Sequence, residues 1–141
     1  MDVASFIHAT EDPDKVIAAC RNVLPADYAD EITFDRRDLL GHYRNPITLL
    51  RARIKQRQVL EAFIDNLAGR LSDGEKRLLS ADVSRRIDDR GALYLRLDKQ
   101  EAFQGQMKLG NMNPIRITLK LFRRRKSLEE TIAFYCSLGL L

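Results

Sequence analysis

Two histidines, and the acids that follow one of them, are the residues whose types could support catalysis or hold a metal ion. His8 is followed by Glu11 and Asp12, and a histidine beside carboxylates can act as a general base or as a metal ligand. His42 stands far along the chain, and neither histidine belongs to an HxH or HExxH motif. Asp12 directly precedes Pro13 and is better explained as a helix cap, while His8 fits a strand. The sequence therefore predicts no catalytic centre, no metal ion and no cofactor.

Cations are concentrated in two stretches that contain no acid, one between Asp38 and Glu61 and one between Glu101 and Glu129. The first stretch contains Arg44, Arg51, Arg53, Lys55 and Arg57. The second contains Lys108, Arg116, Lys120 and the run Arg123, Arg124, Arg125 and Lys126. Such a run alone is more typical of a solvated turn before a helix. The net charge of +4 permits a nucleic-acid partner without requiring one, but two separated basic stretches indicate one surface assembled by folding.

Hydrophobic periodicity and turn residues predict an α+β fold in the order βαββααββα, in a single domain over residues 1–141. Strands are predicted at 3–10, 31–37, 47–54, 92–98 and 115–122, and the second and third form a hairpin with an unusually long connection. Helices are predicted over 13–24, 56–71, 72–87 and from 127 onward, the last two beginning with capping boxes. Alternating strands predict a largely antiparallel sheet with helices on one face and an open second face.

The open face of this predicted sheet carries cations around a tyrosine. The residues that alternate with its apolar rows are Arg51, Arg53, Tyr94, Arg96, Arg116 and Lys120. Guanidinium groups pair with phosphates, and rings and guanidinium planes stack on unpaired bases, so this combination suits RNA. Any solvated sheet face carries polar residues, and basic side chains also protect strand edges. A merely solvated face usually mixes charge signs, so the acid-free stretches favour RNA binding.

Two loops contain side chains that could read RNA. The first loop, residues 41–46, contains an imidazole, a phenol, a guanidinium and an amide: His42, Tyr43, Arg44 and Asn45. These groups could contact a phosphate or an unpaired base, and an ordinary hairpin connection with a packed tyrosine explains them equally well. After the fourth strand, Lys99 and Gln100 could do similar work. The alternative there is a short helical turn that buries Phe103.

Three segments form a pattern: His8-Ala9-Thr10-Glu11-Asp12 with Lys15-Val16, Gly41-His42-Tyr43 with Asn45-Pro46-Ile47, and Leu93-Tyr94-Leu95-Arg96-Leu97-Asp98-Lys99-Gln100. The pattern covers nearly the whole chain and resembles an archaeal RNA-binding family described as a predicted exosome subunit. The resemblance implies an archaeal cytoplasmic protein near RNA processing or degradation, with a fold similar to the ribosomal protein that binds 5S RNA. It also implies a role for the following residues of the second and third segments: Gly41, His42, Tyr43, Asn45, Pro46, Asp98, Lys99 and Gln100. Arg44 departs from the pattern, because the family favours glycine at this position and glycine readily adopts a positive φ. The basic run at residues 123–126 is not part of the family pattern.

Three hypotheses follow, of which a non-catalytic RNA-binding protein leads. The second is an assembly module, either a homodimer or a subunit of a processing complex, whose basic face is a protein interface. The third is a small metal-dependent nuclease that uses His8 and His42. No secretory signal or membrane-spanning run is present, so we expect a cytoplasmic protein. Cys20 and Cys136 are predicted to be buried free thiols.

Overall fold

Five strands form one antiparallel sheet with the first strand at its centre. The structure is a computed structural model that describes residues 1–121, 124 and 126–141. The strands are β1 (Asp2–His8), β2 (Asp35–Leu40), β3 (Pro46–Arg53), β4 (Leu93–Leu97) and β5 (Ile115–Leu119). Their order in the sheet is β2-β3-β1-β5-β4, and every neighbouring pair is antiparallel. The pairs β2–β3 and β4–β5 therefore flank β1 on its two sides.

The described part of the chain also contains six α-helices. They are α1 (Pro13–Asn22), α2 (Arg57–Arg70), α3 (Asp73–Ala81), α4 (Val83–Arg86), α5 (Lys99–Phe103) and α6 (Leu128–Ser137). Side chains explain where four of them begin, because Asp12, Ser72, Asp98 and Ser127 each accept a hydrogen bond from an amide in the following turn. Among the described helices, none has the length and apolar character needed to cross a membrane.

Alternating strand residues and the helices enclose one hydrophobic core. The inward residues of β4 and β5 are at most 1% exposed: Leu93, Leu95, Leu97, Ile115, Ile117 and Leu119. They cluster with Phe63 and Leu67 of α2 and with Tyr135 of α6, which are fully buried. The Tyr135 hydroxyl donates a hydrogen bond to the Gly91 carbonyl at 2.7 Å, so this buried polar group is satisfied. The predicted α+β domain with an open, largely antiparallel sheet is confirmed.

The second strand begins later than the alternation of Ile32 and Phe34 predicted. Both residues precede β2 and are half-buried against the core. The Arg21 guanidinium donates hydrogen bonds to the Ala29 and Ile32 carbonyls and lies 5.3 Å from the centre of the Phe34 ring. A side chain of α1 therefore holds this segment, and a neighbouring strand does not. At its other end β2 continues to Leu40 and β3 begins at Pro46, so the hairpin connection is only residues 41–45 and the prediction of a long connection was wrong.

Smaller differences concern the ends and faces of helices. The predicted helix over 72–87 is interrupted at Asp82, whose φ of −127° separates α3 from α4. Cys20 is fully buried, and burial raises the pKa of its thiol to about 12. Cys136 is exposed, contrary to prediction, because its neighbour Tyr135 occupies the inward position of α6. Phe103 does end a short helix, but its side chain is 43% exposed and does not enter the core.

Candidate nucleic-acid interface

Strand register aligns basic residues in a row across the open face of the sheet. Arg51 lies opposite Ala4, Ala4 lies opposite Arg116, and Arg116 lies opposite Arg96. Adjacent strands are about 4.8 Å apart, so Arg51 and Arg116 lie roughly 10 Å apart on the two sides of β1. The structure thus brings three of the sequence-predicted arginines into one line. We call Arg51, Arg116 and Arg96 the arginine row.

The two arginines at one end of this row face each other without an acid between them. Within the described residues, no carboxylate forms an ion pair with the guanidinium of Arg96 or of Arg116. The Arg116 guanidinium instead lies 4.8 Å from the centre of the Phe6 ring. Like charges directly opposite each other on adjacent strands destabilise a sheet. A bound anion would relieve that repulsion, so this Arg96–Arg116 pair is a suitable place for a phosphate.

Tyr94 presents a fixed aromatic ring beside the pair. It lies opposite Thr118, two residues before Arg96 on the same face of β4, and is 43% exposed. Its hydroxyl donates a 2.9 Å hydrogen bond to the Asp88 carboxylate, which raises the pKa of Tyr94. Burial would raise the pKa of Asp88, but hydrogen bonds from the Ala92 amide, Tyr94 and another amide lower it below its usual range. The hydrogen bond therefore holds a ring that remains partly exposed on the open face.

The open face also contains an acid, Asp2, which lies opposite Thr118 and therefore level with Tyr94. One Asp2 carboxylate oxygen lies 3.2 Å from Arg51 and 3.7 Å from Lys120, and the other lies 3.9 Å from Arg53. The Asp2 side chain is 19% exposed, whereas the three cations are 41 to 60% exposed. These sequence-predicted cations are thus brought together, but Asp2 neutralises part of their charge. The face is basic without being free of acids.

The hairpin loop at residues 41–45 lies at the end of the sheet where β1 finishes, because Ile47 pairs with His8. His42, Tyr43, Arg44 and Asn45 are all exposed, with Tyr43 at 94%. Tyr43 and Arg44 have φ angles of 58° and 61°, a left-handed conformation that non-glycine residues seldom adopt. The departure from glycine at Arg44 therefore falls at a position where glycine would be unstrained. The loop presents its side chains outward and packs no tyrosine.

Lys99 is engaged inside the protein rather than displayed on its surface. Its ammonium donates to the Phe6 carbonyl at 2.6 Å and to the Glu11 carboxylate at 3.2 Å, and its side chain is 11% exposed. Glu11 also accepts hydrogen bonds from the Asn113 amide and the His8 backbone amide. Burial would raise the pKa of Glu11, but these hydrogen bonds and Lys99 lower it below its ordinary value of 4.5. This network ties α5 to the end of β1.

A cleft with a volume of about 410 Å³ opens at the same end of the sheet, between α1 and α5. Its lining includes Asp12, Lys15, Gln100, Phe103, Met112 and Asn113. We call it the α1–α5 cleft. Gln100, a sequence-predicted residue, is exposed there. Within the described part of the chain, no group of three His, Cys, Asp or Glu side chains could hold a metal ion.

The basic run after β5 is only partly described. Arg123 and Arg125 lie outside the described residues, while Arg124 and Lys126 are exposed. Lys126 lines a second cavity of about 530 Å³ together with Asp88 and Asp89. Lys126 therefore lies on the side of the molecule where Asp88 holds Tyr94.

Two residues of β1 lie on the open face and were not predicted from the sequence. Asp2 and Phe6 alternate with the buried residues Val3, Ser5 and Ile7, so they point to the open face. The same alternation is visible in the sequence, but only the sheet order places β1 at the centre. Asp88, whose carboxylate accepts the hydrogen bond from Tyr94, follows a predicted helix, and no alternation or motif in the sequence marks it as part of this face.

Comparison with known proteins agrees with this basic, open-faced architecture. A family model described as RNA binding matches residues 1–121. The RNA-binding protein PAB1135 of Pyrococcus abyssi is 33% identical over 128 residues, which cover 88% of this chain and 83% of the relative.

Two solved archaeal structures are similar over nearly their whole length. Protein AF2318 from Archaeglobus fulgidus is 30% identical, with a TM-score of 0.83 over 97% of this chain and 96% of that one. The DUF54 protein Mth689 from Methanothermobacter thermautotrophicus is also 30% identical, with a TM-score of 0.79 over 97% and 94%. Both the sequence match and the shared fold extend across the strands that form the open face, and the chain belongs to this RNA-binding family.

Proposed function

We propose that this protein binds RNA through the open face of its sheet and catalyses no reaction on it. In this proposal the arginine row, Arg53 and Lys120 meet phosphates, while Tyr94 stacks on a base. In the same proposal the exposed hairpin loop at residues 41–45 and the basic residues Arg123, Arg124, Arg125 and Lys126 also contact the RNA.

The Arg96–Arg116 pair is the observation that carries the proposal. Arg96 and Arg116 are paired across adjacent strands, and among the described residues neither guanidinium has a carboxylate partner. Two like charges at paired positions lower the stability of the free protein. An acid at one of the two positions would remove that cost. Binding a polyanion offsets that cost. The exposed Tyr94 ring beside the pair adds a surface on which an unpaired base can stack.

Fluorescence anisotropy of labelled RNA at several salt concentrations tests the proposal. The variant Arg96→Ala/Arg116→Ala removes the pair, and Arg77→Ala/Arg85→Ala removes two exposed arginines of α3 and α4 as a control with the same charge change. We expect the first variant to bind single-stranded RNA roughly 10- to 100-fold more weakly at low salt. Its log–log salt slope should become shallower by roughly 0.7, because the variant loses the one phosphate that the pair holds.

The control variant shows whether RNA affinity depends on the position of the arginines or only on the net charge of the protein. If both double variants lose affinity and salt slope equally, RNA is attracted by overall charge and the open face is not the binding surface. If the wild type binds no RNA at low salt, the proposal fails outright.

We further propose a role in RNA processing or degradation in the archaeal cytoplasm, in association with the exosome or a similar complex. The hairpin β2–β3 favours such an assembly, because β2 is an edge strand whose residues are all exposed. Leu40 and Tyr43 at its tip are 75% and 94% exposed. Light scattering over a range of concentrations separates self-association from a heterologous complex: a concentration-dependent dimer that Leu40→Lys abolishes supports the former, and a monomer throughout contradicts it.

A further inference from the structure

The carboxylates of the α1–α5 cleft are already committed to holding its walls. Asp12 caps α1 by accepting from the Asp14 amide at 3.0 Å, and Asp98 caps α5 by accepting from the Glu101 amide at 2.9 Å. Glu11 accepts from Lys99, Asn113 and the His8 amide, as described above. The floor and walls of the cleft are therefore fixed before any ligand binds, which lowers the entropic cost of binding.

The groups that remain available form one aromatic and apolar surface with two polar tips. Phe103 is 43% exposed and Met112 is 91% exposed on the lining of the cleft. The Lys15 ammonium lies 5.9 Å from the centre of the Phe103 ring, and the Gln100 amide is exposed. A flat aromatic ligand can stack on the Phe103 ring while Gln100 reaches its polar edge.

The charge of the cleft distinguishes a base from a phosphate. Three carboxylates and two ammonium groups line it, a net charge of −1 from Glu11, Asp12, Asp98, Lys15 and Lys99. A phosphate group would be repelled, whereas a neutral ring would not. The volume of about 410 Å³ lies in the range of small-molecule pockets.

The cleft is also close to the phosphate site of the open face. Arg96 and Asp98 are two residues apart along the same chain direction, about 7 Å at the spacing of a strand. An RNA strand whose phosphate sits on the Arg96–Arg116 pair can therefore place a neighbouring base beyond the end of β4, where the cleft opens.

We propose that the α1–α5 cleft binds one unpaired nucleobase of a single-stranded RNA, stacked on Phe103, while the phosphates stay on the open face. This inference rests on the proposed function and adds to it the class of RNA: one that can splay out a base. A blunt duplex keeps its bases stacked and would use only the arginine row.

Variants of Phe103 test the inference with short oligoadenylate and a blunt RNA duplex as probes. Phe103→Ala should weaken oligoadenylate binding by about 5- to 100-fold, the usual worth of one base stacked on an aromatic ring. Phe103→Tyr keeps the ring and should bind within about twofold of the wild type. Neither variant should change the salt slope or the affinity for the duplex, and Leu78→Ala on α3 serves as an exposed apolar control.

Titration with free adenosine and with adenosine monophosphate, followed by the amide NMR signals of Lys15, Gln100 and Asn113, provides a second readout. In the Arg96→Ala/Arg116→Ala variant, which lacks the phosphate site of the open face, we expect adenosine to shift these signals at least as strongly as the monophosphate, because the cleft repels a phosphate. A monophosphate that binds this variant much more tightly than adenosine overturns the inference, since the cleft itself would then be an anion site.

The failure of the inference and that of the proposed function are distinguishable. If the wild type binds RNA, and Phe103→Ala binds oligoadenylate as the wild type does, the cleft takes no base and the open-face function stands. If the wild type binds no RNA and adenosine leaves the cleft signals unmoved, both are wrong.

Discussion

Replacing Asp2 with asparagine should strengthen RNA binding while it weakens the fold. In the free protein the Asp2 carboxylate contacts Arg51, Arg53 and Lys120 at 3.2 to 3.9 Å. Bound phosphates would compete with this carboxylate for the same three cations. Asparagine has nearly the same shape but no charge, so the cations keep their positions and lose their internal partner.

The two opposing effects have different sizes. Ion pairs with half-exposed cations each contribute about 0 to 1 kcal/mol, and three of them share one carboxylate here, so the free energy of unfolding should fall by about 1 kcal/mol. In water, the repulsion between a carboxylate and a phosphate roughly 5 Å away is about 0.8 kcal/mol. Removal of the Asp2 charge should therefore increase RNA affinity at low salt roughly fourfold. Each newly available phosphate contact should also steepen the salt slope by about 0.7.

Anisotropy titrations of Asp2→Asn over a range of salt, with urea unfolding measured in parallel, check both effects. Asp65→Asn is the matched control, because Asp65 is an exposed acid of α2 and its replacement changes the net charge equally. We expect the control to gain little affinity and no slope. Weaker RNA binding by Asp2→Asn, with the protein still folded, would refute the reasoning, because the carboxylate would then position the cations for RNA instead of competing with it.

Two further predictions concern the hairpin loop and the network at the end of β1. Arg44→Gly should raise the free energy of unfolding by about 1 kcal/mol in urea, because the φ of 61° suits glycine, whereas Arg44→Ala keeps the strain and should give no gain; equal stability of the two variants would contradict this. The Glu11 pKa is lowered on folding, so its stabilisation is present above about pH 4.5 and is lost as pH falls through the folded pKa. The free energy of unfolding of Glu11→Gln, measured in urea near pH 7, should therefore be about 1 to 2 kcal/mol below that of the wild type, and this difference should disappear in acid. A difference that stays constant with pH would show that the charge of Glu11 does not stabilise the fold.

The sequence was sufficient for the elements whose signals are local. Alternation in Leu93–Leu97 and Ile115–Leu119, and the capping residues Asp12 and Ser127, correctly placed strands and helix starts. The boundary of β2 was missed because Arg21 holds the segment around Phe34 from a distance of more than ten residues. A contact of that kind leaves no periodicity in the sequence, so pattern analysis cannot detect it.

The candidate site shows the same division between local and long-range information. Alternation alone placed Arg51, Arg96 and Arg116 on the open side of their strands. That they form one row follows from the register of four strands, and that register is set by side-chain packing across the whole sheet. The acid-free stretches were misleading in one respect, because Asp2 enters the face from a strand at the other end of the chain.

The open face and the α1–α5 cleft carry opposite charge, and this difference argues for single-stranded RNA over duplex. A duplex presents phosphates on its outside and stacked bases within, so only the cationic Arg96–Arg116 pair would be used. A single strand presents both groups, and Arg96 of the open face is about 7 Å along the chain from Asp98, which lines the cleft. Loss of the arginine pair should therefore change the salt slope, while loss of the Phe103 ring should lower affinity at every salt concentration without changing the slope. Two variants that produced the same change would mean that the face and the cleft do not divide phosphate and base between them.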